Sequence, residues 1–176
     1  FALMTLVMTS MSLAMDGQGF STAHAADVVR WHVVAMFGPS FFTGSIISRF
    51  GHLPVIGVGL LLLGIAGVTA VSGVELENFY LALISLGLGW NFSFIGATSL
   101  LGTTHTAVEQ AKVQGLNDFL VFGLVMVASF SSGALLYAYG WSAVQFAMIP
   151  ALALAGLAVF WLAKNRGQAA APTAGA

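Results

Sequence analysis

Between Phe79 and Leu101 no side chain carries a charge, yet Trp90 and Asn91 stand near the middle of that run. An indole N–H and a carboxamide both need hydrogen-bond partners. At 3.6 residues per turn Asn91 shares a helical face with Tyr80, Ile84, Gly87, Ile95, Thr98 and Gly102. Such a mixed stripe belongs against protein or a water-filled cavity, because an unpaired polar group in lipid costs several kcal/mol. Two compatible roles follow. Asn91 glues one helix to another, or it orients a solute beside the stacking surface of Trp90.

A second face joins Asp118, Phe122, Val125, Ser129, Ser132 and Leu136. Asp118 is expected in the first turn of its helix, where the macrodipole favours a carboxylate and where Asn117 or Asp118 caps free amides. Its functional alternative is a gate, with Asp118 meeting a cation on another domain. Ser129 and Ser132 either face a solute or bond back to their own helix. Upstream, "DVVRWHVVAMFGPSFFTG" places Trp31 and His32 one to two turns inside the membrane. Trp31 suits an interfacial belt. A histidine at that depth calls for a cavity or a partner, and a proton route is one such use.

The solvent around these groups is set by composition. Of 176 residues 59% are hydrophobic and 6% charged, against about 25% charged in soluble domains. Five Lys plus Arg and a net charge of -1 argue against nucleic acid. With no cysteine there is neither a disulfide framework nor a thiolate metal site, and the four histidines lack ligand spacing. No metal or cofactor is expected.

A bilayer core needs roughly 20 apolar residues per helix. Six segments qualify: about 1–15, 27–48, 53–74, 78–102, 115–139 and 142–163, with a low-complexity, disordered tail over 165–176. The fold class is all-α integral membrane. Lys and Arg orient it. Arg49, Lys112, Lys164 and Arg166 fall on one side and Arg30 alone on the other, which makes both termini cytoplasmic. Gly57, Gly64 and Gly67 in the third span, and Ser129 with Gly133 in the fifth, are expected to let helices approach closely. Pro39 and Pro150 are expected to kink the second and sixth spans.

The loop "GSIISRFGH", residues 44–52, resembles the G-x-x-x-D-R-x-G-R/K signature between the second and third helices of each half of the major facilitator superfamily. Gly44, Arg49 and Gly51 match; Ser48 and His52 depart from it, as in the degenerate second copy. "TAVEQAKVQGLNDF" looks like that family's link between the fourth and fifth helices of a half, and "GWNFSFIGATSLL" followed by "QGLNDFLVFG" is similar to its tenth and eleventh helices. The resemblance covers essentially the whole chain, as helices seven to twelve of a bacterial member.

It implies two inverted three-helix repeats and a solute site at the midplane between two halves. The seventh, eighth, tenth and eleventh helices would face the cavity, and Asp118 would pair with a cation of the amino-terminal half. The short first span fits a fragment lacking that half. The expected function is secondary transport of a small solute across the bacterial inner membrane by alternating access, with proton coupling through His32 as an option. An intramembrane serine protease is disfavoured, since no G-x-S-G precedes a helical histidine. A channel or a scaffold subunit is the rival class, although no charge ring or N-P-A filter motif is present.

Overall fold

The computed structural model describes residues 1–169. Eight α-helices follow one another: α1 (Ala2–Gly17), α2 (Thr22–Phe37), α3 (Ser40–Phe50), α4 (His52–Ser72), α5 (Leu76–Leu101), α6 (Gln110–Tyr139), α7 (Trp141–Phe146) and α8 (Met148–Ala169). Five helical spans are long and apolar enough to cross a membrane, namely Thr22–Phe50, His52–Ser72, Leu76–Leu101, Gln110–Tyr139 and Trp141–Asn165, and α1 adds a shorter apolar helix.

Two spans are interrupted where proline forbids a helical bond. Pro39 has no N–H to offer Ala35, so α2 stops at Phe37 and α3 begins at Ser40. Pro150 likewise cannot bond Phe146, and α7 ends there, one residue before α8. The helix is thus interrupted near both prolines, while Gly38 and Pro39 keep right-handed helical backbone angles. Glycine makes the sharpest turns. Gly51 (φ 87°) joins α3 to α4 and Gly140 (φ 82°) joins α6 to α7, a backbone region closed to most side chains.

Helix starts lie earlier than apolar patterning indicates. Ser21 caps α2 by accepting from the His24 N–H at 3.3 Å. Before α6, Glu109 accepts from the Thr106 hydroxyl (2.8 Å) and N–H (3.2 Å). Those bonds, the hydroxyl first, hold its carboxyl below the ordinary range. The tail expected from 165 begins inside α8, which continues to Ala169; residues 170–176 lie outside the described residues.

The bundle is organised around α5, which packs against α4 on one side and α2 on the other, while α1 lies along α6. Its core gathers Val7, Met11, Met15, Val28, Leu83, Leu86 and Val144. In lipid the hydrophobic effect does not drive helices together, so close backbone approach carries more of the packing. Gly89 provides it toward α4: a methyl there would stand 2.8 Å from the Leu63 nitrogen and 2.9 Å from the Gly59 carbonyl oxygen. Gly87, about 200° away on the same helix, does so toward α2, with the His32 carbonyl oxygen 2.6 Å from such a methyl.

Here the sequence expectation needs correcting. Gly57, Gly64, Gly67 and Gly133 all face open space, and Ser129 is exposed. The close approaches fall instead to Gly59, Gly87, Gly89 and Gly96.

Candidate functional site

Asn91 has no exposed surface. Its Nδ2 donates to the Met36 carbonyl at 2.8 Å and to Ser40 Oγ at 2.7 Å. Its Oδ1 accepts from Thr43 Oγ1 at 2.6 Å, and Thr43 also reaches the Pro39 carbonyl at 2.9 Å. The amide thus sits on the break between α2 and α3 and touches both sides of it. That accounts for a carboxamide in a charge-free helix: α5 supplies polar partners where the neighbouring span's own backbone is interrupted.

The rest of the stripe continues the same contact. The Tyr80 hydroxyl donates to Asp27 Oδ2 at 2.6 Å, and Asp27 pairs with Arg30. His32 is fully buried, with Nδ1 2.8 Å from the Leu83 carbonyl. A carbonyl can only accept, so Nδ1 carries the proton and Nε2 is the free lone pair; that nitrogen is buried and unpartnered among the described residues. Gly87 seats this helix on the His32 carbonyl and Ala35. Thr98, half-buried, directs its hydroxyl to the carbonyls of Phe94 (2.8 Å) and Ile95 (3.2 Å). Trp31 faces outward, 49% exposed.

Aromatic rings form a second layer. Trp90 stacks on Phe94, their centroids 4.9 Å apart and planes 14° from parallel. Phe37 of α2 meets Trp90 edge-on at 6.1 Å. Phe1, which precedes α1, meets Trp90 at 5.5 Å and Phe94 at 5.4 Å, and it reaches Phe122 of α6 at 6.5 Å. Five rings thereby link α2, α5, α1 and α6. Both ends are open, with Phe37 54% and Phe122 62% exposed. Phe1, Trp90 and Phe94 also wall an apolar cleft of about 480 Å3 that runs between α4, α5 and α8.

Sequence reasoning singled out Trp90 but not Phe37, Phe94 or Phe1. The i, i+4 spacing of Trp90 and Phe94 was legible; the rings contributed by other helices had no local signal.

The remaining candidates lie apart from this layer. Ser132 is buried and bonded to Ser10 of α1 (Oγ to Oγ, 3.1 Å), whereas Ser129 faces outward. Gly44 lies in α3, where its carbonyl accepts from Ser48 Oγ at 3.0 Å. Arg49 is exposed, its guanidinium 5.4 Å from the Phe50 ring, and Gly51 forms the turn. Asp118 is exposed, with Asn117 Nδ2 at 3.2 Å. Because α6 starts at Gln110, Asp118 lies more than two turns inside the helix. The first-turn capping and dipole role expected for it therefore does not apply. Among the described residues no cluster of His, Asp and Glu could hold a metal.

Long apolar helices held together by buried hydrogen bonds and an aromatic row make this an all-α integral membrane protein. The chain is 46% identical over 170 residues to a Brucella anthropi protein named riboflavin transporter RfnT; the match covers 97% of this chain and 43% of that relative. Two Bacillus subtilis proteins named as uncharacterized MFS-type transporters are also similar. YddS is 34% identical over 122 residues, or 68% of this chain and 28% of the relative. YdeG is 33% identical over 121 residues, or 67% and 28%. The chain spans less than half the length of these relatives. No family model and no solved structure matches it. It belongs to the major facilitator superfamily, whose members named here are transporters and not enzymes, and corresponds to a carboxy-terminal half of that fold.

Proposed function

We propose that this chain is the solute-facing carboxy-terminal half of a secondary transporter that carries a planar aromatic solute of the riboflavin class by alternating access. The observation that carries the reading is the five-ring row from Phe37 through Trp90, Phe94 and Phe1 to Phe122. It joins α1, α2, α5 and α6, the counterparts of the four helices that face the path in this family, and a relative at 46% identity is named a riboflavin transporter.

The chemistry agrees. An isoalloxazine is flat and π-rich, and stacking on aromatic faces contributes about 0.5–1.5 kcal/mol per pair beyond the area buried. Such attraction is strong enough to select a flat solute and weak enough to release it each cycle. The polyol arm of such a solute needs hydroxyl partners, and Ser129 offers one exposed on α6. His32, with its free Nε2, is the candidate carrier of a coupled proton. An amino-terminal six-helix half completes the cavity, and the protein resides in the bacterial inner membrane with its carboxy terminus cytoplasmic.

The test is riboflavin counterflow by the full-length protein in proteoliposomes. Saturable exchange is expected, and Trp90→Ala should raise the half-saturating concentration about tenfold while Trp90→Phe raises it less. No exchange of riboflavin would reject the substrate class. Conductance without saturation would replace the carrier by a channel.

A further inference from the structure

We infer that Asn91 is a positioning residue: by bridging the α2–α3 break it sets the angle between the two arms and so the spacing of Phe37 and Trp90. The inference rests on the proposed solute site and deepens it.

The covalent geometry is direct. Phe37 follows Met36, whose carbonyl receives the Asn91 amide, and Trp90 precedes Asn91 itself. One hydrogen bond of 2.8 Å, from the Asn91 side chain to the Met36 backbone, therefore links the residues adjacent to both rings, whose centroids stand 6.1 Å apart. Between Phe37 and Ser40 lie only Gly38 and Pro39, outside either helix. The Gly38 N–H still bonds the Val34 carbonyl at 2.7 Å and the Thr43 N–H the Pro39 carbonyl at 2.9 Å, but Pro39 has no N–H to give Ala35, so the ladder is weakened at that joint.

The two arms are held to α5 unequally. Arm α2 has its own ties, Asp27 to Tyr80 at 2.6 Å and His32 to the Leu83 carbonyl at 2.8 Å. Arm α3 buries only Thr43 and Ile47. Among the described residues its side-chain hydrogen bonds to α5 are two: Ser40 Oγ accepts from Asn91 Nδ2, and Thr43 Oγ1 donates to Asn91 Oδ1. Remove the amide and α3 loses its polar hold on α5, whereas α2 keeps two. Burial at 0% exposure means that Asn91 acts on the solute through the rings and not by contact.

The experiment uses the full-length protein in proteoliposomes, on a background without other cysteines. Spin labels at Ala26→Cys and Phe50→Cys, both exposed positions on either side of the break, report the angle between the arms. Riboflavin counterflow reports affinity and maximal rate. For Asn91→Ala we expect a broadened label distance, about tenfold weaker half-saturation and a maximal rate within about twofold of the parent, the scale set by losing buried hydrogen bonds. Thr43→Val removes the hydroxyl shared between Asn91 and the Pro39 carbonyl at nearly constant volume and should weaken half-saturation about threefold, while Thr43→Ser restores both readouts. If Asn91→Ala does not fold, the Thr43 pair decides. Unchanged distances and half-saturation in Thr43→Val and in any folded Asn91→Ala, with only stability reduced, would overturn the inference. A parent that carries no riboflavin but whose variants still broaden the distances would sink the substrate reading alone.

Discussion

Gly59 and Gly89 meet where α4 crosses α5, so closely that a methyl group on either would stand 2.9 Å from the other's carbonyl oxygen. Real side chains do not tolerate such a contact with backbone, and the helices would have to part. Gly89→Ala and Gly59→Ala are expected to cost about 1–3 kcal/mol each through overpacking. Gly57→Ala and Gly64→Ala, which face open space, should fold like the parent. Thermal unfolding of the purified protein in detergent separates the two pairs; equal stability for all four would mean that the crossing yields to a methyl group.

His32 offers a different kind of test. Its Nδ1–H is committed to the Leu83 carbonyl, which leaves Nε2 to take up a proton. His32→Gln retains a donor but no titrating ring. Riboflavin uptake measured from pH 5.5 to 8 should then lose its pH dependence, with folded yield within about twofold of the parent. A profile identical to the parent's removes His32 from any proton route.

Asp118 stands exposed on α6, its Oδ1 accepting from Asn117 Nδ2 at 3.2 Å. Should it close a gate against a cation of the amino-terminal half, Asp118→Asn will weaken that closure. The expected result is slower cross-linking of engineered cysteine pairs across the cytoplasmic face, by about threefold for a pair worth under 1 kcal/mol. Unchanged cross-linking would return Asp118 to an ordinary surface charge.

The indole N–H of Trp141 donates to the Ala70 carbonyl at 2.9 Å and pins short α7 to α4. Trp141→Phe keeps the ring and deletes the donor. A loss of about 0.5–1 kcal/mol in reversible unfolding is expected, the range for hydrogen bonds between membrane helices. No change at all would show that α7 is held by packing alone.

Several of these features could be read from the amino-acid order. The charge-free run around Asn91, interrupted by one amide, already required a polar partner, and the stripe from Tyr80 to Thr98 already required protein or water beside it. Both requirements come from the cost of an unpaired dipole in hydrocarbon, which is local and independent of fold. The break at Pro39 was visible for the same kind of reason, since a missing N–H is a property of one residue.

Other features were not. α4 is apolar on every face, so no polar side marks the one that meets α5, and Gly57 was as good a candidate as Gly59. The start of α6 escaped because "QAKVQ" lacks apolar periodicity though it is helical, and that misplaced Asp118 within its helix. Ser129 and Ser132 lie on neighbouring positions of one face, and only the approach of Ser10 on α1 distinguishes them.

Membrane residence and the need for a partner at position 91 were legible in composition and chain chemistry, because transfer into lipid acts on each segment separately. Which partner answered was decided by packing between helices distant in sequence. Met36, Ser40 and Thr43 reach Asn91, and Phe1, Phe37 and Phe122 assemble with Trp90, through contacts between helices. Contacts of that kind depend on crossing geometry, which periodicity along one helix does not encode.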